Sequence, residues 1–183
     1  MKKKTLIIFM LLSVVLLFCD NIDKNKQVEI SVQWKKAPGF GSNQCAVWAE
    51  DENGNYIKTI YVSKFTGKGG FKKRPDCLTL WRSKANIKDS VPVEIDAITQ
   101  STPQNGENLF YWDLTDANNS PMPEGIYYLK VESNLRFEKR IVWTGKIDTT
   151  KDEDFCNAVP EYFSVERNNA EKNTATNVFI KYK

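Results

Sequence analysis

The sequence contains no histidine among its 183 residues. Without an imidazole the chain cannot form a Ser-His-Asp triad or a Cys-His pair, so these mechanisms of nucleophilic catalysis are excluded. Zinc, copper and haem sites with histidine ligands are excluded for the same reason. The chain has 23 acidic residues, but no pair stands out as the acid and base of a glycosidase. We therefore expect a protein that is not an enzyme and that holds no metal.

Cysteine is scarce, and no two cysteines have the C-x-x-C spacing of a thiol-disulfide oxidoreductase. Apart from Cys19, the chain has Cys45, Cys77 and Cys156. An odd number of cysteines outside the cytoplasm allows one disulfide and one remaining thiol, and the sequence leaves the three possible pairings open. A chain of this length buries enough surface to fold without a disulfide.

The sequence also lacks an excess of charge of either sign. Its formal net charge of +3 comes from Lys2, Lys3 and Lys4, because 26 basic residues less these three leaves 23 against 23 acidic residues. A neutral domain has no general attraction for nucleic acid or anionic lipid, so we expect no nucleic-acid partner. A basic cluster at residues 64–74 is balanced by acidic stretches at 50–52 and 152–154, and we interpret these as solvated loops.

A long apolar run occurs at residues 6–18, interrupted only by Ser13. It follows three lysines and is shorter than the roughly 20 residues of a membrane-spanning helix, which is typical of a secretory signal peptide. Its end resembles a bacterial lipobox, in which the cysteine, here Cys19, is acylated; Phe18 stands where Gly, Ala or Ser is usual. The pattern predicts a signal peptide over residues 1–18 and a linker over 19–27. The protein would then be an extracytoplasmic, membrane-anchored lipoprotein, with an uncleaved signal anchor as the alternative.

Short segments of alternating apolar and polar residues make up most of the remaining chain, as at Val28, Ile30, Val32 and Trp34. About eight such segments separated by turn signals predict an all-β fold, an antiparallel immunoglobulin-like β-sandwich over residues 28–146 with one short helix. The Asn53-Gly54 pair predicts a hairpin. Residues 147–183 are expected as an extension, partly strand and partly mobile loop. Neither βαβ alternation nor a glycine-rich phosphate loop is present, so a nucleotide-binding fold is not expected.

One string in the second half combines turn and strand signals: a strand ends in Trp-Asp, a polar turn follows, and Pro-x-Gly-x-Tyr starts the next strand. Its residues are Trp112, Asp113, Asp116, Pro123, Gly125 and Tyr127. The string is similar to the immunoglobulin-like repeats of flagellar hook-capping proteins, which implies a role in the fold. The alternative is a calcium loop that uses Asp113, Asp116 and Asn118, but the acidic twelfth residue and the glycine of such loops are missing.

A wider resemblance rests on four segments that precede this string, at residues 47–51, 54–60, 78–81 and 96–98. Together they resemble the predicted periplasmic family called domain of unknown function 2271, over about residues 28–146. Members of that family often accompany membrane proteins of flavin-linked electron transfer. The resemblance implies a setting at the cell envelope, not an activity.

Residues 96–102 resemble the motif to which a flavin transferase attaches FMN. Asp96 and Thr99 match that motif, and Thr102 would be the hydroxyl that accepts FMN. Gln100 and Ser101 replace the small residues of the motif, and Pro103 stiffens the chain directly after the acceptor. The alternative interpretation is a polar loop at the end of a strand.

The expected function is a non-catalytic binding or scaffolding role at the cell envelope, with a protein partner there and a membrane contact through the N-terminal lipid. The family resemblance implies that this role is accessory to flavin-linked electron transfer. The first alternative is an electron carrier with FMN on Thr102, in which the protein orients the cofactor. The second alternative, which rests on the hook-capping similarity, is a structural protein of an extracellular appendage.

Overall fold

A computed structural model describes residues 26–35, 43–87, 99–136, 139–164 and 174–183. The predicted signal peptide, Cys19 and Asp96 lie outside the described residues. So do residues 165–173 of the extension that was expected at residues 147–183.

The described chain forms two β-sheets packed face to face, which confirms the predicted all-β sandwich. The strands are β1 (Val28–Trp34), β2 (Gln44–Asp51), β3 (Tyr56–Ser63), β4 (Thr99–Gln100), β5 (Gly106–Trp112), β6 (Ile126–Arg136), β7 (Lys139–Asp148), β8 (Asp154–Asn157), β9 (Val159–Phe163) and β10 (Ala175–Tyr182). One sheet has the order β5-β1-β10-β8 and the other the order β4-β3-β2-β6-β7-β9. The helical elements are α1 (Lys64–Gly67), a 3₁₀ turn (Gly70–Lys72) and α2 (Thr79–Lys84).

Strand β1 shows why the sequence pattern leads to this sandwich. Its residues alternate strictly between buried and half-buried positions, starting and ending with a buried side chain. A strand with this period turns one face to the core and the other outward. Strand β1 pairs with β10 on one side and β5 on the other, both antiparallel, and its inward row belongs to the main core. The core between the sheets is therefore built from one apolar row per strand.

Strand β2 differs because both of its faces are buried. Cys45, Val47 and Ala49 face the main core, whereas Ala46 and Trp48 belong to a second apolar cluster on the outer face of the six-stranded sheet. That second cluster is completed by Leu78 and Trp81. Residues 64–87, which we call the covering segment, therefore fold back over this outer face.

The C-terminal residues are part of the sandwich. Strand β10 lies between β1 and β8 in the four-stranded sheet, so the sandwich continues beyond Lys146, the boundary expected from the sequence. The acidic stretch at residues 152–154, which we interpreted as a solvated loop, leads into a further short strand, β8.

The predicted hairpin at Asn53-Gly54 forms between β2 and β3. Only Gly54 adopts a positive φ, of 77°, a conformation that suits glycine because it has no Cβ. The Asp51 carboxylate accepts hydrogen bonds from the backbone N–H groups of Asn53 and Asn55, at 2.9 and 2.8 Å. The turn is thus held by an aspartate in addition to the Asn-Gly pair.

Cys45, Cys77 and Cys156 are all free thiols in the structure, and the first two are buried. Burial raises the pKa of all three thiols, most strongly that of Cys45, so they remain protonated at neutral pH. Within the described part of the chain, no helix combines the length and the apolar composition that a membrane span requires.

Candidate functional site

A shallow cleft lies where the two sheets meet, beside β4 and the beginning of β5. Its volume is about 380 Å³. The lining residues are all uncharged, and they are Tyr61, Gln100, Ser101, Thr102, Pro103, Gln104, Asn108, Leu109 and Phe110. The cleft therefore offers amide and hydroxyl groups above an apolar floor.

Two aromatic rings form that floor. Tyr61 and Phe110 pack with their ring centroids 4.5 Å apart. The Tyr61 hydroxyl donates a hydrogen bond of 2.7 Å to the Ser101 carbonyl, which fixes the chain just before Thr102. Burial raises the pKa of the Tyr61 hydroxyl, so it stays protonated and acts as a donor in this bond.

The wall of the cleft is a polar loop that is held by its own side chains. The Asn108 side chain accepts from the Gln104 backbone N–H at 3.0 Å and donates to the Gln104 carbonyl at 2.8 Å. The Gln104 amide donates to the Thr102 carbonyl at 3.1 Å. Thr102 is half-buried. A group attached to its hydroxyl would meet the uncharged residues of the cleft.

The predicted FMN-motif residues are only partly covered by the structure. Thr99 lies in β4, which pairs in parallel with β3 through Val62 and Thr99. Thr102 lies three residues later on the cleft wall, and Asp96 is outside the described residues.

The residues of the Trp-Asp string lie at the opposite end of β5 from this cleft. Trp112 donates from its indole nitrogen to the Thr115 carbonyl at 2.8 Å and packs edge-on against Tyr127, with ring centroids 5.0 Å apart. The Tyr127 hydroxyl donates to the Pro123 carbonyl. The Asp116 carboxylate accepts from the backbone N–H groups of Asn118 and Ser120, each at 2.8 Å. These contacts fold the turn onto the end of the sandwich.

A lysine lies where a calcium loop through Asp113 would place its cation. The Lys58 ammonium is 3.3 Å from the Asp113 carboxylate and 2.6 Å from the Thr115 hydroxyl. Burial raises the pKa of Asp113, but hydrogen bonds from Thr115 and the charge of Lys58 outweigh it, so the pKa lies below its ordinary value. Among the described residues, no group of three or more acidic or cysteine side chains is arranged to hold a metal.

Gly125 does not require glycine for its conformation. Its φ is not positive, and a Cβ built on it would meet nothing within 4 Å. Its backbone N–H instead donates to the Thr149 hydroxyl at 2.9 Å. The Pro-x-Gly-x-Tyr pattern therefore does not need this glycine for steric reasons.

A buried carboxylate that no sequence pattern indicates holds the covering segment. Glu132 on β6 is fully buried, and its carboxylate accepts from the backbone N–H groups of Leu80 and Trp81, at 3.3 and 2.8 Å. The Arg140 guanidinium lies 3.8 Å away. Burial raises the pKa of Glu132, and the two N–H groups and the nearby arginine oppose that shift. A single glutamate within an apolar strand pattern carries no local signal of this role.

Comparison with known proteins gave one match. The family model described as "Predicted periplasmic protein (DUF2271)" matches residues 25–159. No curated protein and no solved structure matches the chain.

Proposed function

Because the chain belongs to this family of predicted periplasmic proteins, we propose that it is a lipid-anchored β-sandwich with a non-catalytic binding or scaffolding role in the cell envelope. The observation that carries this proposal is an exposed apolar surface on the outside of the four-stranded sheet. We call this surface the open face.

The open face contains three large apolar side chains that are unusually exposed for a sandwich. Leu109 and Tyr111 are 45% and 49% exposed, and Phe155 is 67% exposed. The register places Tyr111 and Phe155 in one row across the sheet and Leu109 and Phe179 in the next. Clustered apolar side chains on a soluble surface are typical of protein–protein contact sites. The outer face of the other sheet is occupied by the covering segment, so the two sheets differ in this respect.

Polar side chains lie between the apolar residues of the open face. Glu29 and Lys181 stand opposite each other in the row that contains Tyr111 and Phe155. An apolar surface with interspersed charges resembles a reversible protein interface more than a permanent one, which is more uniformly apolar. Such a surface fits a scaffold that exchanges partners.

The binding role is tested by site-specific photo-crosslinking in the cells that produce the protein. A photoreactive residue at Tyr111 should yield a discrete crosslinked partner, and Phe155→Asp should abolish that product because it introduces a charge at the other end of the same row of the open face. The matched control is the same photoreactive residue at Lys146, which is exposed on the six-stranded sheet. Equal products from both positions, or none from Tyr111, would contradict the proposal.

A second candidate function, an electron carrier with FMN on Thr102, is favoured by the position of that residue in a cleft of about 380 Å³. The aromatic floor of Tyr61 and Phe110 could contact a flavin ring. The uncharged lining counts against this candidate, because a phosphate in the cleft would meet no cationic side chain among its lining residues.

The FMN candidate is tested by co-expressing the protein with a flavin transferase and measuring its intact mass and visible spectrum. The candidate predicts a mass gain of one FMN and a yellow colour, both lost in Thr102→Ala and kept in Ser101→Ala. A colourless, unmodified protein, with the transferase active on a control substrate, would exclude it.

A further inference from the structure

The covering segment carries a concentration of positive charge that the net charge of the chain conceals. Residues 64–87 contain seven basic residues and one acidic residue, Asp76. Lys84 is half-buried and pairs with the buried Glu50 at 3.3 Å, so we do not group it with the exposed lysines. Four lysines of the segment are exposed, and we call them the basic face: Lys64, Lys68, Lys72 and Lys73.

The covering segment, which carries the basic face, is packed firmly against the six-stranded sheet. Leu78 and Trp81 are fully buried, and the Trp81 indole donates to the Thr59 hydroxyl at 2.8 Å. The Glu132 carboxylate holds the beginning of α2 from below. Phe71 is buried as well. The segment therefore turns Phe71, Leu78 and Trp81 inward and its four exposed lysines outward, on a backbone that is anchored to the sheet.

The arginines of the segment serve its internal structure. The Arg82 guanidinium stacks 4.4 Å above the Phe71 ring and donates to the Pro75 carbonyl at 2.8 Å. The Arg74 guanidinium lies 5.7 Å from the Phe65 ring. By contrast, Lys72 and Lys73 form no ion pair with any residue in the described ranges. These two lysines are available to an external anion.

A second cleft opens beside the basic face. It has a volume of about 450 Å³ and is lined by Phe71, Lys72, Pro75 and Arg82. A ring, a proline and two cationic side chains suit a ligand that presents a carboxylate next to an apolar side chain.

The opposite end of the sandwich is acidic. Three turns at that end, residues 51–55, 113–125 and 148–154, contain nine acidic residues and one lysine. The chain also enters the sandwich there, because the Gln27 backbone N–H donates to the Lys183 carbonyl at 2.9 Å and Lys26 pairs with Glu124 at 3.6 Å. The basic face begins directly after Ser63, at the other end of β3. Charge is thus separated along the strands.

We propose that the basic face and its cleft dock an acidic segment of another envelope protein, one whose carboxylates are flanked by an apolar side chain. That the ligand of the basic face is a protein rests on the binding role proposed above. An N-terminal tether would hold the acidic end toward the membrane, so the basic face points away from lipid headgroups. Nucleic acid is not a natural partner in the extracytoplasmic setting of this family.

The test uses the full-length protein in a nonionic detergent and a fluorescent ten-residue peptide of Glu and Asp with one central Phe. Binding is followed by fluorescence anisotropy at about 0.15 M salt, where the Debye length is about 8 Å. The same peptide with Gln and Asn in place of the acids is the negative probe. Micelles with added phosphatidylglycerol and a short DNA duplex are the competitors.

The variant Lys72→Glu/Lys73→Glu should weaken peptide binding by at least about tenfold, because two attractive contacts become repulsive. The control Lys146→Glu/Lys151→Glu changes the net charge equally at two exposed lysines outside the basic face and the open face, and it should alter binding by less than about twofold. Thermal unfolding would show that both variants are folded, and Lys64→Glu/Lys68→Glu provides an independent disruption of the same face.

The proposal would be overturned if the control variant lost as much peptide binding as Lys72→Glu/Lys73→Glu. It would also be overturned if the acidic peptide showed no saturable binding. Stronger competition by phosphatidylglycerol or by DNA would overturn it in favour of a lipid or a nucleic-acid site. If the protein alone sediments as a salt-sensitive dimer, the basic face binds a second copy of the chain, and the proposal of an acidic envelope protein is overturned. Crosslinking from Tyr111 concerns the other sheet, so a failure there and a failure here are distinguishable.

Discussion

Two glycines of the sandwich differ in how much space surrounds them, and therefore in whether a larger residue can replace them. Gly125 belongs to the Trp-Asp string and has open space around its Cα. Gly145 lies in the middle of β7, and a Cβ there would be 2.3 Å from the Ile180 Cδ1 atom and 2.9 Å from the Cys156 sulfur. Ile180 is fully buried in the main core. The close contact of the two sheets therefore depends on Gly145 and not on Gly125.

We expect Gly145→Ala to lower the free energy of unfolding by about 1–3 kcal/mol, since the added methyl group must displace packed core atoms. Gly125→Ala should change it by less than about 0.5 kcal/mol. Urea unfolding followed by tryptophan fluorescence measures both, and all five tryptophans are buried reporters. Equal destabilisation by the two substitutions would contradict the packing seen around β7.

Thr102 and Glu132 mark what sequence could and could not reveal about individual residues. The segment that contains Thr102 attracts attention through its string of hydroxyl residues, and the structure places Thr102 on the wall of a cleft. Glu132 has no such string, because its partners are backbone N–H groups from a segment about 50 residues earlier. Contacts between distant backbone groups leave no local pattern of residue types.

At the scale of elements, the strands with strict alternation could be predicted and the irregular ones could not. The alternation in β1 fixes both its existence and its inward face. Strand β8 has only four residues and carries the exposed Phe155, so its pattern resembles a loop. Strand β10 was expected near the C-terminus, but its place between β1 and β8 depends on long-range pairing. Pairing partners are set by the whole fold, which a local pattern does not contain.

The covering segment is an element whose attachment depends on one buried carboxylate. We expect Glu132→Ala to lower the free energy of unfolding by about 2–4 kcal/mol, because the N–H groups of Leu80 and Trp81 lose their acceptor and Arg140 loses its partner. The loss should be local. Hydrogen exchange at the amides of α2 should accelerate much more than exchange in β1 or β10.

Glu161→Ala is the matched control for this prediction. Glu161 is exposed and stands in the same cross-strand row, with Val142 between it and Glu132. Its removal should change the stability by less than about 0.5 kcal/mol and leave the exchange in α2 unaltered. Uniform acceleration of exchange over all strands in Glu132→Ala would show that the covering segment and the sandwich unfold as one unit.

At the scale of the whole molecule, three surfaces point in different directions. The open face lies on the outside of one sheet, the basic face lies at one end of the other, and the chain enters at the acidic end. In the scaffold role that we propose, separate surfaces would let one domain contact two proteins at once while an N-terminal lipid held it at a membrane.

The last prediction concerns the proposed lipid anchor at Cys19. If Cys19 carries the lipid, the wild-type protein should partition into the detergent phase in a detergent phase-separation assay. Cys19→Ser should move it to the aqueous phase or leave it unprocessed, because serine lacks the thiol to which the lipid would be attached. Asn21→Ser is the control, since it alters the neighbouring sequence but leaves the thiol intact. Detergent partitioning and processing that are the same in all three proteins would show that the anchor is not at Cys19 and would favour an uncleaved apolar segment.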